Sequence, residues 1–326
     1  MNSFRIFTSI LLLAAAPALQ AGPIRDAIKE KLLERQAARA TAQADEGRHD
    51  MDSGTVQRNQ SYGADPKETL DVYLPPGNHG GAPVIFMVHG GAWKIGDKSH
   101  GKVVENKLAR WQPKGFVFIS VNYPMLPQAD PLKQADAVAQ GLSYAQAHAG
   151  QWGGDPNKFI LMGHSAGAHL VSLLSADPGR AFAQGARPWL GTVSLDSAAM
   201  DVAQIMEARH FGFYDEAFGK DPAYWRQASP LQQLTSKAPP MLMVCSSRRA
   251  DSCQQAEGFA HKAHSLGLQA RVLPEDLSHG EINDKLGLPG TYTDQVEAFL
   301  ATLDDAVAAQ LNSQANDHSS GQLGSH

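Results

Sequence analysis

Short apolar runs alternate along the chain with longer amphipathic or alanine-rich segments. Val84 to Val88, Phe116 to Val121, Phe159 to Met162, Leu190 to Leu195, Met241 to Cys245 and Ala270 to Leu273 carry few polar interruptions. Such runs predict strands buried on both faces, where no inside–outside alternation is needed. Between them, Lys102 to Trp111, Lys133 to His148, Gln254 to Ser265 and Thr293 to Ala308 predict helices. Val56 to Tyr62 and Thr69 to Leu74 predict an antiparallel pair that opens the sheet, and Pro75-Pro76-Gly77 ends its second strand. Residues 198–235 are rich in aromatic side chains and lack a strand pattern, which predicts a helical excursion after the sixth strand, over the C-terminal edge of the sheet. Strand and helix in alternation define an α/β fold: a mostly parallel central sheet flanked by helices.

The ends of the chain read differently. Arg5, the apolar run Ile10 to Ala16 and the small residues after it predict a secretory signal peptide over residues 1–21, cleaved after Ala21, with Ala18 the alternative. That run is too short to span a bilayer, and no stable membrane span is expected. The expected location is periplasmic or secreted. Ile24, Ile28 and Leu32 recur at i, i+4 and i+8, so residues 22–53 read as an N-terminal helical arm, either a loose attachment or a cover for the site below. Residues 54–310 hold the α/β domain, and the polar stretch 311–326 is expected to be a disordered tail.

Composition narrows the function classes. The net charge is −5 with no basic block, which argues against a nucleic-acid partner. The chain has two cysteines, Cys245 and Cys253. In an exported chain an even count favours a disulfide between them, two separate buried thiols being the alternative. Without clustered histidines they make no zinc site, and no metal or organic cofactor is expected.

The chemistry gathers around Gly163-His164-Ser165-Ala166-Gly167. A strand-forming run precedes it and a helix-compatible run follows, so Ser165 sits at the apex of a strand–turn–helix, the context of a nucleophile elbow. Gly163 and Gly167 are small because strand and helix nearly touch there. A serine hydroxyl barely ionises at neutral pH and needs a base, which in turn needs an orienting acid. In this topology the order is serine, acid, histidine. Of the 13 histidines, His279 alone after the elbow lies in a loop shortly after the last expected strand, beside Gly280, which would let that loop bend toward the serine. His164 and His169 read as packed or hydrogen-bonded. Asp251, after the strand ending at Cys245, is the expected acid; Asp196, Glu275 and Asp276 are its competitors. A Cys245–Cys253 bond would bracket the loop that carries Asp251. For the oxyanion, the backbone N–H of Ala166 follows the nucleophile, and Gly90 and Gly91 in His89-Gly90-Gly91-Ala92-Trp93 can bring further N–H groups close. His89 reads as a scaffold for that loop and Trp93 as a packing residue.

With these segments in this order, the chain resembles the α/β-hydrolase superfamily, in its esterase/lipase branch with a His-Gly-Gly oxyanion loop. Gly163 to Leu170 with His-Gly-Gly-Ala-Trp is also similar to kynurenine formamidases. The resemblance covers roughly residues 55–310. It implies Ser165 as nucleophile, Asp251 and His279 as its partners, and Gly90, Gly91 and Ala166 as oxyanion donors. The implied activity is hydrolysis of a small-molecule carboxylic ester through an acyl-enzyme. Arylformamidase-like amide hydrolysis is the alternative, and a non-catalytic binding protein on the same scaffold a second. Three departures stand out: Ala92 where many relatives have a fourth-position glycine, Tyr123-Pro124-Met125-Leu126-Pro127 where relatives often read Tyr-Arg-Leu-Ala-Pro, and an Arg-Arg-Ala-Asp-Ser-Cys setting around Asp251 that is not typical of the family.

Overall fold

The computed structural model describes residues 56–77, 80–197 and 199–312, and there the apolar runs become strands of one sheet. The strands are β1 (Val56–Ser61), β2 (Thr69–Tyr73), β3 (Ala82–Val88), β4 (Val117–Val121), β5 (Gly154–His164), β6 (Gly191–Leu195), β7 (Met241–Ser246) and β8 (Ala270–Glu275). Their spatial order is β1-β2-β4-β3-β5-β6-β7-β8. The β1–β2 and β2–β4 pairs are antiparallel and all the others parallel. The expected α/β architecture is therefore what folds. The expected signal peptide over 1–21, the expected arm over 22–53 and residues 313–326 of the expected tail lie outside the described residues.

Buried side chains separate by strand parity. Val84, Phe86 and Val88 of β3 point to one face with Phe159 and Leu161 of β5; Ile85 and Met87 point to the other with Ile160 and Met162. The first face is covered by α2 (Pro131–His148) and α3 (Ala166–Ala176). The second is covered by α1 (Gly101–Trp111), α11 (Thr291–Ala301) and α12 (Asp305–Asn312). The β7 end of the sheet packs Met241, Met243 and Cys245 against α9 (Ala250–Ser265). With both faces covered, the central strands need no polar alternation, which is why they read as unbroken apolar runs.

Local chemistry explains where the elements differ from expectation. The last helix is two: α11 ends at Ala301, and the Asp304 carboxylate accepts the backbone N–H groups of Ala306 and Val307, starting α12 as an N-cap. Two short helices are additional, α4 (Pro178–Ala183), capped by Asp177, and α10 (His279–Asp284). The excursion after β6 is helical as expected, made of α5 (Val202–Glu207), α6 (Gly212–Phe218), α7 (Pro222–Gln227) and α8 (Pro230–Gln233). Its aromatic residues pack on one another and onto the residues beneath them. Tyr214 and Phe218 are buried against Trp93, the Tyr224 hydroxyl donates to Asp130, and the Trp225 indole N–H donates to the Phe218 carbonyl.

Candidate active site

Ser165 stands between β5 and α3 with φ 56° and ψ −118°, a backbone conformation that L-residues rarely occupy. The turn is held on both sides: the Ser165 N–H donates to the Leu195 carbonyl at 2.9 Å, and the His169 N–H donates to the Ser165 carbonyl at 3.0 Å. The flanking glycines are sterically required. A Cβ on Gly163 would collide with the Gly167 carbonyl, and one on Gly167 with the carbonyl oxygens of Val88 and His89.

His279 reaches the serine from the opposite end of the site. Its Nε2 lies 3.0 Å from Ser165 Oγ, and its Nδ1 lies 2.5 Å from Asp196 Oδ2. The imidazole is not in a loop, as expected from sequence, but at the first position of α10. Ser278 caps that helix in a reciprocal box with Glu281. The pattern Ser278-x-x-Glu281 is a capping-box signature legible in the sequence. Gly280 contributes no bend: it lies outside the positive-φ region, and a Cβ there would meet nothing within 4 Å. His164 adds a second hold. Its Nε2–H donates to the His279 carbonyl at 2.9 Å, and the two rings lie 4.5 Å apart. Burial first, then the neighbouring His279, push the His164 imidazole well below its ordinary pKa, so it is neutral.

The acid on the imidazole is Asp196, not Asp251. Asp196 follows β6, the strand beside the serine's own, and turns inward at φ 54° with its side chain fully buried. Its Oδ1 accepts the Ser246 N–H at 2.7 Å and the Ser252 hydroxyl. Its Oδ2 receives His279 Nδ1 and, at 2.7 Å, Arg249 Nη1. Burial acting alone would raise this carboxyl. The His279 hydrogen bond, the charges of Arg249 and His279, and the Ser252 hydroxyl outweigh it and hold the group well below the usual carboxylate range. Asp251 lies inside the first turn of α9, its side chain is 54% exposed, and its carboxylate touches the Arg249 guanidinium at 3.5 Å. Because α9 begins directly after the β7 loop, the residue that turns inward there is Arg249, and Asp251 faces solvent. Glu275 and Asp276 do not reach the imidazole either; Asp276 pairs with Arg248.

The glycine loop lies against the nucleophile. A Cβ on Gly90 would come within 2.7 Å of the His164 carbonyl and 2.9 Å of Ser165 Cβ. His89 is buried, stacked 4.6 Å from Tyr123, and its Nδ1–H donates to the Gly90 carbonyl. Burial lowers its pKa to about 4, partly offset by that bond, so it is a neutral scaffold. Ala92 and Trp93 both carry positive φ, at 50° and 60°. The Trp93 indole N–H donates to His169 Nδ1 at 3.1 Å, while His169 Nε2–H donates to the Ala228 carbonyl. Trp93 is thus a packing residue that ties the glycine loop to the elbow helix and the excursion. Cys245 and Cys253 are bonded, closing the loop that delivers Ser246, Arg249 and Ser252 to Asp196.

An imidazole so placed can take the serine proton at Nε2 while a carboxylate steadies Nδ1–H. Among the described residues no cluster of three or more potential metal ligands occurs, and no helix is long and apolar enough to cross a membrane.

Comparison with known proteins places these features in context. The BD-FAE family model matches residues 70–185, a span that holds the glycine loop and the elbow but neither Asp196 nor His279. A probable isoprenylcysteine α-carbonyl methylesterase of Arabidopsis thaliana is 38% identical over 120 residues, 37% of this chain and 28% of that protein. Esterase LipC of Mycobacterium tuberculosis is 28% identical over 229 residues, 64% of this chain and 55% of that protein. The chain thus spans between about a quarter and about half the length of these relatives. Among solved structures, esterase B from Lactobacillus rhamnosis superposes with a TM-score of 0.65 at 19% identity, over 90% of this chain and 99% of that one. A truncated form of a carbohydrate esterase from gut microbiota gives 0.63 at 17% identity, over 79% of this chain and 96% of that one.

Proposed function

We propose that this chain, which belongs to the esterase/lipase branch of the α/β-hydrolase superfamily, is a serine hydrolase that cleaves small-molecule carboxylic esters through an acyl-enzyme. The observation that carries the proposal is the relay from Ser165 Oγ to His279 Nε2 and from His279 Nδ1 to Asp196. In the proposed reaction His279 accepts the serine proton as Oγ attacks the ester carbonyl. The buried Asp196 carboxylate steadies the imidazolium that forms. The tetrahedral oxyanion takes hydrogen bonds from the N–H groups of Ala166, Gly90 and Gly91, each such donor contributing several kcal/mol to the transition state. Collapse expels the alcohol, to which His279 returns its proton, and water then repeats the sequence on the acyl-enzyme. The names of the similar proteins support an ester over other acyl substrates.

Two measurements test this. A fluorophosphonate probe is expected to label wild type at Ser165 and to leave Ser165→Ala unlabelled; an unlabelled wild type would refute the nucleophile. A chain-length series of p-nitrophenyl esters is expected to show turnover with an acyl-length preference. Faster cleavage of N-formylkynurenine than of any of these esters would move the assignment to amide hydrolysis.

We also propose export, with residues 1–21 removed. The apolar run Ile10 to Ala16 and the Cys245–Cys253 bond support it, since such bonds persist in oxidising compartments. Mass spectrometry of the mature chain is expected to find Gly22 at its N-terminus; a retained Met1 would overturn the assignment.

A further inference from the structure

The Asp196 carboxylate has a charged partner that the proposed relay does not use. Arg249 Nη1 lies 2.7 Å from Asp196 Oδ2 and 2.8 Å from His279 Nδ1, so guanidinium and imidazole meet at the same carboxylate oxygen. Oδ1 is already taken by the Ser246 N–H and the Ser252 hydroxyl. The arginine is three-quarters buried, with its Nη2 3.5 Å from the exposed Asp251 carboxylate. It stands in the loop that the Cys245–Cys253 bond closes.

We propose that Arg249 is a positioning residue of the Ser165–His279–Asp196 site: it divides the Asp196 carboxylate with His279 and so sets how low in pH the base can work. The inference rests on the esterase proposal for its kinetic consequence, not for its geometry. A fixed cation beside Nδ1 opposes the imidazolium and draws on the same oxygen that would stabilise it. The other ionisable groups facing this point do not replace it. The buried Tyr214 phenol is pushed up by burial first, although Arg249 draws it down, and so stays neutral. His164 is neutral. Asp251 is the opposing charge, and its exposure weakens it. The aspartate that appears as the acid in the sequence thus acts on the site through Arg249, tempering its charge.

The test is the kcat/KM–pH profile on a p-nitrophenyl ester. Arg249→Gln is expected to move the acid limb up by about one pH unit. Arg249→Lys, which keeps a cation, is expected to leave the limb near wild type. Asp251→Asn, at an exposed position, is expected to move it the other way. Superimposable limbs for wild type and Arg249→Gln overturn the proposal. If Arg249→Gln does not fold, an Asp251→Asn limb that stays put or rises overturns it. A second readout needs no turnover: the low-field Nδ1–H proton of His279 in NMR spectra of histidine-labelled protein. In Arg249→Gln it is expected to shift downfield, because Nδ1–H then has Oδ2 to itself. An unmoved signal counts against Arg249. A moved signal in a chain that cleaves no ester counts against the esterase proposal alone.

Discussion

Single residues decide which carboxylate faces the imidazole. From sequence alone, Asp251 and Asp196 both follow strands, and nothing local says which turns inward. The structure separates them by backbone conformation: Asp196 leaves β6 at φ 54°, a region aspartate tolerates better than most side chains, whereas Asp251 is helical and faces water. Asp196→Asn is therefore expected to lower kcat for ester cleavage by about 10⁴-fold, since the amide favours the wrong imidazole tautomer. Asp251→Asn is expected to stay within a few-fold of wild type near neutral pH. Comparable losses in the two variants would return Asp251 to the site. Gly90 gives a second residue-scale prediction. A methyl there meets the His164 carbonyl and Ser165 Cβ at distances real Cβ atoms do not adopt, so the glycine loop must withdraw from the nucleophile. Gly90→Ala is expected to lower kcat by about 10²-fold or more, the scale of one lost oxyanion donor. Full activity in the folded variant would place the oxyanion donors elsewhere.

At the scale of elements, much of the site was legible because local signals agreed with one another. The elbow has strand formers before it, helix formers after it, and glycines where a Cβ would strike backbone. The histidine was legible by its place after β8, but its helix was less so, because Gly280 at the second helical position is a residue that ordinarily favours a turn, while the Ser278–Glu281 box starts a helix there. The pairing of Arg249 with Asp196 was not legible: an arginine beside a strand end ordinarily goes to solvent, and only the packing of α9 directly after β7 turns it inward. The disulfide ties those two elements together. It closes a short loop, at a sequence separation of eight, which on chain-entropy grounds contributes about 2–3 kcal/mol. Because that loop also delivers Ser246, Ser252 and Arg249 to Asp196, removing the bond should loosen the acid as well as lower stability. The double variant Cys245→Ser, Cys253→Ser is expected to lose roughly that much in urea unfolding and several-fold in kcat. A variant of unchanged kcat would show that the cradle holds without its covalent closure.

For the whole molecule, covering both faces of the sheet and seating the glycine loop beneath the excursion leaves His89 and His169 buried and His164 half-buried, each bonded to a carbonyl. Burial lowers His89 and His169 to about 4, partly offset by a bond to a carbonyl in each and, at His89, also by Asp97 and Asn122, and takes His164 well below its ordinary value. In the unfolded chain all three would titrate near the ordinary histidine value of 6.5. Between about pH 6.5 and about pH 4 the unfolded state therefore binds more protons than the folded one, and stability must rise with pH across that window. Each histidine can contribute up to about 1.4 kcal/mol per pH unit in the steep part of the range. Urea unfolding is thus expected to show a loss of roughly 1–2 kcal/mol per buried histidine on going from pH 7 to pH 5. The paired carboxylates add little there, since Asp196 begins to lose its advantage only as pH approaches the unfolded carboxylate value of 3.8. His169→Gln isolates one contribution. It is expected to lower stability at pH 7, where the Trp93 and Ala228 bonds are weakened, and to flatten the pH dependence by about one proton. A wild-type stability that is level from pH 7 to pH 5 would mean that these rings admit water or a proton in the folded state.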